Sequence, residues 1–251
     1  MEPITAVIVC VEYDDLLAIT LPHNRPFFDQ VIVVTTPEDV RTQAICVANN
    51  AKCLTTRVFY ERGAAFNKGA ALERGFDLAG REGWFAVMDA DILIPQGSVL
   101  QNVKDRSTLE VPRRRIIHDV ESFDINRKWM GERHDDGEEF AGYCQVFHSS
   151  AEPLKSRPWY PTNWKTCGGC DSIFARKWPI HKQQRPPYVV YHLGPIERNW
   201  AGRTTTRTDG TTPPDAPEKA AKLAEFMQAR ESAIKSGKRG WARFERELID
   251  E

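Results

Sequence analysis

Apolar runs rich in β-branched residues recur along the first 95 residues and predict the strands of one sheet. Residues 4–11 and 30–36 are continuous apolar runs of the kind found in parallel strands that are covered on both faces. Residues 51–60 supply a third strand, and the run that starts at Trp84 supplies a fourth. Short helical stretches separate these runs, an order typical of a right-handed, largely parallel α/β sheet.

Residues with helical spacing fill the gaps between the predicted strands. Residues 16–21 predict a short helix that ends near Pro22. After the second strand, Thr36 as N-cap and Pro37 in the first turn predict the start of a second helix. The residues expected on its buried face are Val40, Ala44, Ile45 and Ala48. A third helix over residues 62–79 carries small residues that permit a close approach to the sheet or to a ligand.

The rest of the chain is patterned less regularly. Residues 96–103 predict a helix, residues 107–112 and 142–148 predict strands, and the polar, acidic residues 122–140 predict an exposed loop. Residues 204–217, rich in Thr, Pro, Gly and Asp, predict a mobile linker or loop. The sequence then predicts a helix over residues 216–235 that packs back on the domain through Leu223, Phe226, Met227 and Ile234.

Composition places the chain among globular α/β proteins. With 251 residues, 41% of them hydrophobic and 27% charged, and a formal net charge of −1, the chain can bury a substantial core. No apolar run has membrane-spanning length and the first residues lack a secretory signal, so we expect a cytoplasmic protein of a bacterium or a virus-infected host cell, without a membrane partner. Six cysteines in such a chain are expected to be reduced thiols.

Two carboxylates, Asp89 and Asp91, interrupt the apolar run that begins at Trp84. Strand alternation would send both side chains to the same side. Two neighbouring anions repel each other unless a cation lies between them, and oxygen ligands suit Mg²⁺ or Mn²⁺, although such a pair is also compatible with solvated turn residues or a helix cap. Ligands of parallel α/β sheets bind beyond the carboxyl ends of the strands, where Glu12 to Asp15 and Thr35 are also expected.

The stretch Phe66-Asn-Lys-Gly-Ala-Ala-Leu-Glu-Arg-Gly-Phe76, followed by Trp84-Phe-Ala-Val-Met-Asp-Ala-Asp91, resembles the donor-binding half of the GT-A glycosyltransferases. The resemblance is to the family-two-like and galactosyltransferase-like branches. It implies that Asp91 ligates Mn²⁺ or Mg²⁺ against the donor diphosphate, while Asp89 contacts the ribose or the metal and its waters. Glu73 departs from this pattern, because many relatives carry Asn there, and Thr35 and Thr36 stand where an Asp often contacts the base.

A later segment, Gly168-Gly-Cys-Asp-Ser-Ile-Phe-Ala-Arg176, resembles the Gly-Gly-Glu-Asp segment of inverting GT-A enzymes. Asp171 matches the catalytic base of that segment, and Cys170 replaces the usual Glu. A carboxylate within hydrogen-bond reach would remove the proton of an acceptor hydroxyl as the new C–O bond forms. The other interpretation of Asp171 is a helix N-cap.

The cysteines leave a different interpretation of the same segment open. Cys167 and Cys170 could form a four-thiolate zinc site with Cys46 and Cys53. Nothing in the sequence requires the two pairs to meet.

A β-run that reaches His192 and breaks at Gly194 resembles the late GT-A strand whose terminal histidine completes the metal shell. An imidazole ligand is compatible with Mn²⁺. Arg198, Trp200 and Arg203 match a loop that closes over the donor, where arginines would offset the charge of the departing diphosphate.

The resemblance as a whole implies a metal-dependent, inverting glycosyltransferase of hexosyltransferase type. Its GT-A domain would span residues 1–203, with a donor-nucleotide half (1–95) and an acceptor and catalytic half (96–203), followed by the linker and a C-terminal helical segment (218–251). The donor would be a nucleoside-diphosphate sugar, most simply UDP-linked, with Asp171 as the base and Asp89, Asp91 and His192 as metal ligands. The residues expected to contact the donor are Glu12, Tyr13, Thr35, Arg62, Asn67, Lys68, Asp89, Arg198, Trp200 and Arg203.

Charge distribution leaves the acceptor open. From Lys165 to Arg207 eight Lys or Arg stand against two acids, Asp171 and Glu197, an asymmetry that suits a polyanion. One acceptor is 5-hydroxymethylated pyrimidine in DNA, as in phage DNA glycosyltransferases, which would require the base to leave the stack. A glycan is the other. The run Arg113–Arg115 is either a solvated face or a phosphate contact.

Two other classes of function would use a similar fold. A nucleotidyltransferase of similar architecture would place a glycine-rich phosphate loop directly after the first strand, where this chain has Glu12-Tyr-Asp-Asp15 without a glycine. A non-catalytic nucleotide-sugar or nucleic-acid binding protein on a degenerate GT-A scaffold would keep the fold without turnover.

Overall fold

The computed structural model describes residues 2–95, 105–121, 123–124, 132–134, 142–194 and 199–235. The strands in these residues are β1 (Ile4–Val9), β2 (Gln30–Thr35), β3 (Lys52–Thr55), β4 (Trp84–Asp89), β5 (Ile92–Leu93), β6 (Leu109–Glu110), β7 (Arg113–Ile117), β8 (Glu132–His134), β9 (Cys144–His148), β10 (Gln183–Gln184) and β11 (Val189–Leu193). The α-helices are α1 (Asp14–Asn24), α2 (Val40–Ala48), α3 (Lys68–Ala79), α4 (Cys170–Ala175) and α5 (Ala216–Lys235), with short 3₁₀ helices at Arg25–Phe27, Val58–Gly63, Glu152–Leu154 and Ile180–Lys182.

The larger of two sheets has seven strands in the order β10-β6-β9-β4-β1-β2-β3. Strand β1 pairs in parallel with β2 and β4, and β2 pairs in parallel with β3. Strand β9 runs antiparallel to β4 and β6. The predicted class, a mixed and largely parallel α/β sheet flanked by helices, is confirmed.

The core lies on both faces of the central strands. Every residue of β1 is buried, as expected for an apolar strand covered on both sides. Helix α3 packs on β1 and β2 at very short range, because a Cβ at Gly75 would lie 2.6 Å from Cγ1 of Val7. The small residues of the Phe66–Phe76 stretch therefore serve a close approach of helix to sheet at this position.

A second, four-stranded sheet in the order β5-β11-β7-β8 stands beside the first. Strand β11 runs parallel to β7 and antiparallel to β5, so that His192 is paired with Ile92. Since β5 follows β4 after a two-residue turn, this small sheet carries the end of β11 to the carboxyl end of β4. That junction is the feature of the fold that determines where the site lies.

Helix α1 corrects the prediction of a short helix that ends near Pro22. The helix runs from Asp14 through Pro22 to Asn24. Side-chain bonds hold it against the segment after β4: Thr20 Oγ1 donates to the Ala90 carbonyl at 2.6 Å, and Asn24 Nδ2 donates to the Ile92 carbonyl at 2.7 Å. These long-range contacts outweigh the local helix-breaking tendency of proline.

Helix α2 differs from its prediction in both its cap and its buried face. Its N-cap is Asp39, whose Oδ1 accepts from the Thr42 amide at 3.1 Å, so the assignment of Thr36 was wrong. The small side chains of Thr42 and Cys46 face the protein, and Ile45 is only partly buried. Three residues predicted to face inward, Val40, Ala44 and Ala48, are exposed, Val40 to 66%. The helix packs through the neighbouring face, which carries Thr42 and Cys46.

Other helix and strand boundaries differ from the predicted ones, in part because a 3₁₀ helix interrupts the local pattern. The third strand covers only Lys52–Thr55 because Val58–Gly63 is a 3₁₀ helix, and the third α-helix accordingly begins at Lys68 rather than at residue 62. The predicted strand over 107–112 is reduced to β6 and is followed by β7. The predicted helix over 96–103 lies outside the described residues, as does most of the loop over 122–140.

Two predicted elements of the second half are confirmed. Strand β9 lies within residues 142–148, and α5 spans residues 216–235 as predicted. Leu223, Phe226 and Met227 are partly buried, whereas the side chain of Ile234 lies outside the described part. None of the described helices is both long and apolar enough to cross a membrane.

Glu73 is a buried structural anchor rather than a cavity residue. Its Oε1 accepts from the amides of Trp159 and Tyr160, both at 2.9 Å, and its Oε2 pairs with Arg81 NH2 at 2.8 Å. Arg81 also donates to Asp77 at 2.8 Å. The carboxylate thus joins α3 to the loop before α4, and its departure from the common Asn has a structural reason.

We expect Glu73→Ala to lower the free energy of unfolding by about 3–5 kcal/mol, because it removes the buried acceptor of two backbone amides and the buried one of the two acids paired with Arg81. Asp77→Ala is the matched control. This substitution removes the second acid paired with Arg81. Because the Asp77 side chain is 52% exposed, the free energy of unfolding should fall by no more than about 1 kcal/mol. Urea denaturation measures both, and equal costs for the two variants would refute the anchoring role of Glu73.

Candidate active site

A cavity of about 1000 Å³ opens at the carboxyl ends of β1 and β4, between the two sheets and the segment before α5. Residues from each predicted motif reach its wall. They are Tyr13, Lys68, Asp89, Asp91, Asp171, His192, Trp200 and Arg203. The fold therefore gathers side chains that are up to 190 positions apart in the sequence, from Tyr13 to Arg203.

Asp91 and His192 form the first pair of the site. Strand β4 ends at Asp89, so Asp91 lies in the turn before β5 rather than in one continuous strand. The Leu193 amide donates to the Asp91 carbonyl at 2.9 Å, and this bond brings His192 Nε2 to 3.4 Å from Asp91 Oδ2. The pairing of β11 with β5 thus sets the distance between carboxylate and imidazole.

The polar atoms of this pair fit a cation. Among the described residues, Asp91 Oδ1 and His192 Nδ1 are buried without a hydrogen-bond partner. Burial raises the pKa of the Asp91 carboxyl above its ordinary value; His192 opposes this shift and Asp89 adds to it. Oxygen and imidazole donors of this kind suit Mn²⁺ or Mg²⁺. In the part of the chain that is described, no three acidic, His or Cys side chains are arranged to hold a metal by themselves.

Asp89 is turned toward a lysine rather than toward Asp91. Lys68, the first residue of α3, has only 8% of its side chain exposed, and its Nζ lies 2.7 Å from Asp89 Oδ1. The same ammonium lies 3.4 Å from both carboxylate oxygens of Asp171. Burial works against the charge of the ammonium, but Asp171 and then Asp89 outweigh it and hold the pKa of Lys68 well above its ordinary value.

Asp171 is the second residue of α4 and does not cap it. The N-cap position belongs to Gly169, whose φ is +84°, and no side chain makes a capping bond there. The Asp171 carboxylate packs against Gly142, where a Cβ would lie 1.8 Å from its Cγ. Burial raises the pKa of the Asp171 carboxyl, a shift that Lys68 opposes and Asp89 reinforces. A raised pKa brings a carboxylate closer to the range in which it accepts protons efficiently.

The other end of the cavity is bounded by the segment before α5. Arg203 is buried and forms a two-point ion pair with Asp15, with one N···O distance of 2.9 Å, while its guanidinium lies 4.6 Å from the centre of the Tyr13 ring. Trp200 packs against Gly168, where a Cβ would lie 2.7 Å from the indole. This end combines aromatic surface with the threonines of residues 204–208.

Ion pairs tie residues 203–219 to the segment after β1. Arg207 Nε lies 3.0 Å from Asp14 Oδ1, Lys219 pairs with Glu12, and Arg41 bridges Asp14 and Asp209. The stretch 204–215 has neither helix nor strand, and α5 begins within the predicted linker, at Ala216. Its cations neutralise the acids that follow β1.

Four residues predicted to contact a donor lie outside the cavity wall in the described structure. Glu12 has a φ of +64° and is engaged by Lys219, and Thr35 is buried and donates to Asp39 Oδ2 at 3.1 Å. Asn67 caps α3 and donates to the Thr162 carbonyl at 2.8 Å, while Arg62 is exposed. Glu12, Thr35 and Asn67 are thus held by contacts within the protein. Arg198 lies outside the described residues.

Arg114 is a cavity residue that the sequence analysis missed. In the sequence it belongs to the basic run Arg113–Arg115, but alternation along β7 separates it from Arg113 and Arg115. The register of β7 with β11 places it on the face that Ile116 shares with His192. It is buried, and its guanidinium lies 4.3 Å from the centre of the Tyr143 ring. Alternation along a strand through Arg113–Arg115 would have indicated that the middle arginine lies on the opposite face from its two neighbours.

The four-thiolate zinc hypothesis is wrong. All six cysteines are free thiols. Cys46 and Cys53 lie on α2 and β3, whereas Cys167 lines the cavity and Cys170 begins α4. All four are described residues, and no three of them come together to bind a metal.

No protein-family model matches this chain, and no curated protein matches it. Among solved structures, a mycobacterial protein shares 15% identity with a TM-score of 0.48, covering 76% of this chain and 65% of its own. Glucosyl-3-phosphoglycerate synthase from Mycobacterium tuberculosis, in complex with Mn²⁺, UDP and glucosyl-3-phosphoglycerate, shares 14% with a TM-score of 0.47, covering 79% and 72%. Mannosyl-3-phosphoglycerate synthase from Rubrobacter xylanophilus shares 14% with a TM-score of 0.48, covering 96% and 77%. Similarity at this level does not establish an activity for this chain, so its function has to follow from its own residues.

Proposed function

We propose that this protein is a metal-dependent GT-A glycosyltransferase that transfers a sugar, with inversion, from a nucleoside-diphosphate sugar to an acceptor hydroxyl. The observation that carries the proposal is the meeting of Asp89, Asp91, Asp171 and His192 around one cavity. These residues come from the three segments whose sequences resemble the corresponding GT-A motifs. Their proximity is what a donor site with an adjacent base requires.

Asp91 and His192 would hold Mn²⁺ or Mg²⁺, with Asp89 beside them toward the metal's waters or the donor ribose. The buried, unpartnered oxygen of Asp91 supports this assignment, because an isolated buried carboxylate is costly without a cation. When bound, the metal supplies positive charge that stabilises the departing diphosphate. Protein sites for such ions commonly leave positions for phosphate oxygens and water, so two or three protein ligands are sufficient.

Asp171 would act as the general base. Its side chain lines the cavity wall and is 16% exposed, so the carboxylate can take a proton from the cavity side. The acceptor hydroxyl proton moves to Asp171 while the hydroxyl oxygen bonds to the anomeric carbon. The bond from that carbon to the diphosphate oxygen breaks, and its electron pair leaves with the nucleotide.

The nucleoside would lie between the end of β1 and the segment before α5. Tyr13 and Leu16 offer an aromatic and an apolar surface, and Thr204 to Thr206 offer hydroxyl groups on the facing wall. Arg203 and Trp200 also line this end, although Arg203 is already paired with Asp15. We therefore assign Arg203 to fixing the wall of the donor site and propose UDP as the nucleotide to be tested first.

The acceptor is either a hydroxymethylated pyrimidine in DNA or a glycan. The excess of Lys and Arg between Lys165 and Arg207 is only weak support for a polyanionic acceptor, because several of these cations are paired with acids of the protein. Arg203 and Arg207 pair with Asp15 and Asp14, and Lys182 lies 3.6 Å from Asp105.

The test is a transfer assay with a panel of nucleotide sugars, in Mn²⁺ or in EDTA, that follows both UDP release and acceptor mass. The acceptors are DNA with 5-hydroxymethylated pyrimidines, the same DNA unmodified, neutral oligosaccharides and phosphoglycerate. We expect Mn²⁺-dependent transfer to one acceptor class. Without an acceptor, we expect slow hydrolysis of the donor. Donor binding without turnover on any acceptor would favour the non-catalytic alternative, and no binding of any nucleotide sugar would refute the proposal.

A further inference from the structure

We infer that Lys68 is a positioning residue that fixes the base Asp171 relative to the donor-side acid Asp89. This inference rests on the proposed function, because it concerns how the same site holds its base. It gives Lys68 a role different from the donor contact that the sequence resemblance implies. The three residues belong to α3, to the end of β4 and to α4, so the ammonium joins three separate segments.

The ammonium of Lys68 is engaged by carboxylates of the protein itself. Nζ donates to Asp89 Oδ1 at 2.7 Å and lies 3.4 Å from both oxygens of Asp171. With 8% of the side chain exposed, the ammonium has little contact with solvent. An ammonium has three donors, and the two carboxylates face them, so the charge is already matched before any ligand enters.

The position of Lys68 at the start of its helix supports a role in binding the two acids. It is the first residue of α3, a helix of 12 residues, where the helix dipole disfavours a cation and favours anions. A buried lysine at this position is therefore unfavourable for the helix itself. The two acids from other segments compensate for it, which ties the start of α3 to both of them.

Asp171 depends on Lys68 for the orientation of its carboxylate. Gln145 Nε2 donates to the Asp171 carbonyl at 3.2 Å and holds the backbone, while Gly142 packs against the side chain from one side. The Cys170 side chain also hydrogen-bonds to this carboxylate, and among the described residues the Lys68 ammonium lies 3.4 Å from both of its oxygens. Because a base must be placed to within a fraction of an ångström, loss of this contact should impair proton removal more than donor binding.

The experiment compares Lys68→Met, Lys68→Arg and the double variant Lys68→Met/Asp171→Asn with the wild-type protein. Lys52→Met, an exposed lysine on β3, is the matched control. Calorimetry with Mn²⁺ and UDP measures donor-site affinity, and the transfer assay gives kcat and KM. Urea denaturation of the metal-free proteins gives a readout that does not depend on activity.

We expect Lys68→Met to lower kcat by about 100-fold while the Kd for UDP stays within about threefold. Adding Asp171→Asn should cause little further loss, because two residues that act as one unit are not additive. Lys68→Arg should recover about tenfold over Lys68→Met, since it restores the charge, and Lys52→Met should match the wild type. A large loss of UDP affinity in Lys68→Met, or fully additive losses of kcat in the double variant, would overturn the inference.

Metal-free stability separates failure of this inference from failure of the proposed function. Lys68→Met leaves two partly buried carboxylates without the buried cation between them, and Asp171→Asn removes one of the two negative charges. The double variant should therefore be at least as stable as Lys68→Met alone, and it stays measurable if Lys68→Met does not fold. Additive destabilisation would show that Lys68 does not act on Asp171. If the stabilities of the Lys68 and Asp171 variants are not additive but the wild-type protein binds no donor, the glycosyltransferase proposal is refuted instead.

Discussion

Asp171→Asn is expected to reduce sugar transfer by about 10²–10⁴-fold, the range that a positioned general base contributes. Asn keeps the shape of the side chain, so the packing against Gly142 and the bond from Gln145 to the Asp171 carbonyl should persist. What is lost is the oxygen that takes the proton of the acceptor hydroxyl. Affinity for Mn²⁺ and UDP should change by no more than about threefold, because Asp171 belongs to the acceptor side of the cavity.

Asp105→Asn is the control for the Asp171 variant. Asp105 is half exposed and lies outside the cavity wall. Its amide variant should transfer sugar at the wild-type rate. If Asp171→Asn retained more than about a tenth of wild-type kcat, Asp171 would not be the base. If UDP affinity collapsed with kcat, the variant would have damaged the donor site instead.

Asp91→Asn is expected to abolish the Mn²⁺-dependent part of donor binding. Changes to groups that merely orient metal ligands already cost about 10–100-fold in metal affinity, so loss of a direct charged ligand should cost more than about 100-fold. The amide keeps the volume of the carboxylate but removes the negative charge that faces His192. Transfer should fall in proportion, because no cation would then neutralise the leaving diphosphate.

Two measurements make the Asp91 prediction specific. In EDTA the variant and the wild type should bind UDP equally weakly, and thermal denaturation should show that the variant is folded. The pair Asp91→Asn and Asp171→Asn should also give opposite patterns, since the first loses donor affinity and the second keeps it. An Asp91 variant that binds UDP in Mn²⁺ as tightly as the wild type would remove Asp91 from the metal site.

Local pattern was sufficient for the elements that are apolar on both faces. The runs at β1, β2 and β4 are short, apolar and almost fully buried, as expected of strands that are covered on both faces, and α5 has both helix-forming residues and a polar, loop-like stretch before it. The same pattern failed for α2, where the residues that face the protein are Thr42 and Cys46. Hydrophobicity alone cannot identify a buried face made of small, weakly polar side chains.

The candidate site was predictable in its central acids and histidine, but not in all of its members and not in its contacts. Sequence motifs named Asp89, Asp91, Asp171 and His192, and the fold places all four at one cavity. The partners are set by residues far apart in the chain, and no local pattern records them. Arg203 with Asp15, and Lys68 between two acids, are such long-range pairs.

The most direct test of the central claim is a crystal structure with Mn²⁺ and UDP, in which anomalous scattering locates the metal. We predict an Mn²⁺ peak bonded to the Asp91 carboxylate and the His192 imidazole, with the UDP diphosphate on the same ion and Asp171 free of it. Mn²⁺ bound elsewhere, or UDP bound in this cavity without a metal at Asp91, would contradict the account.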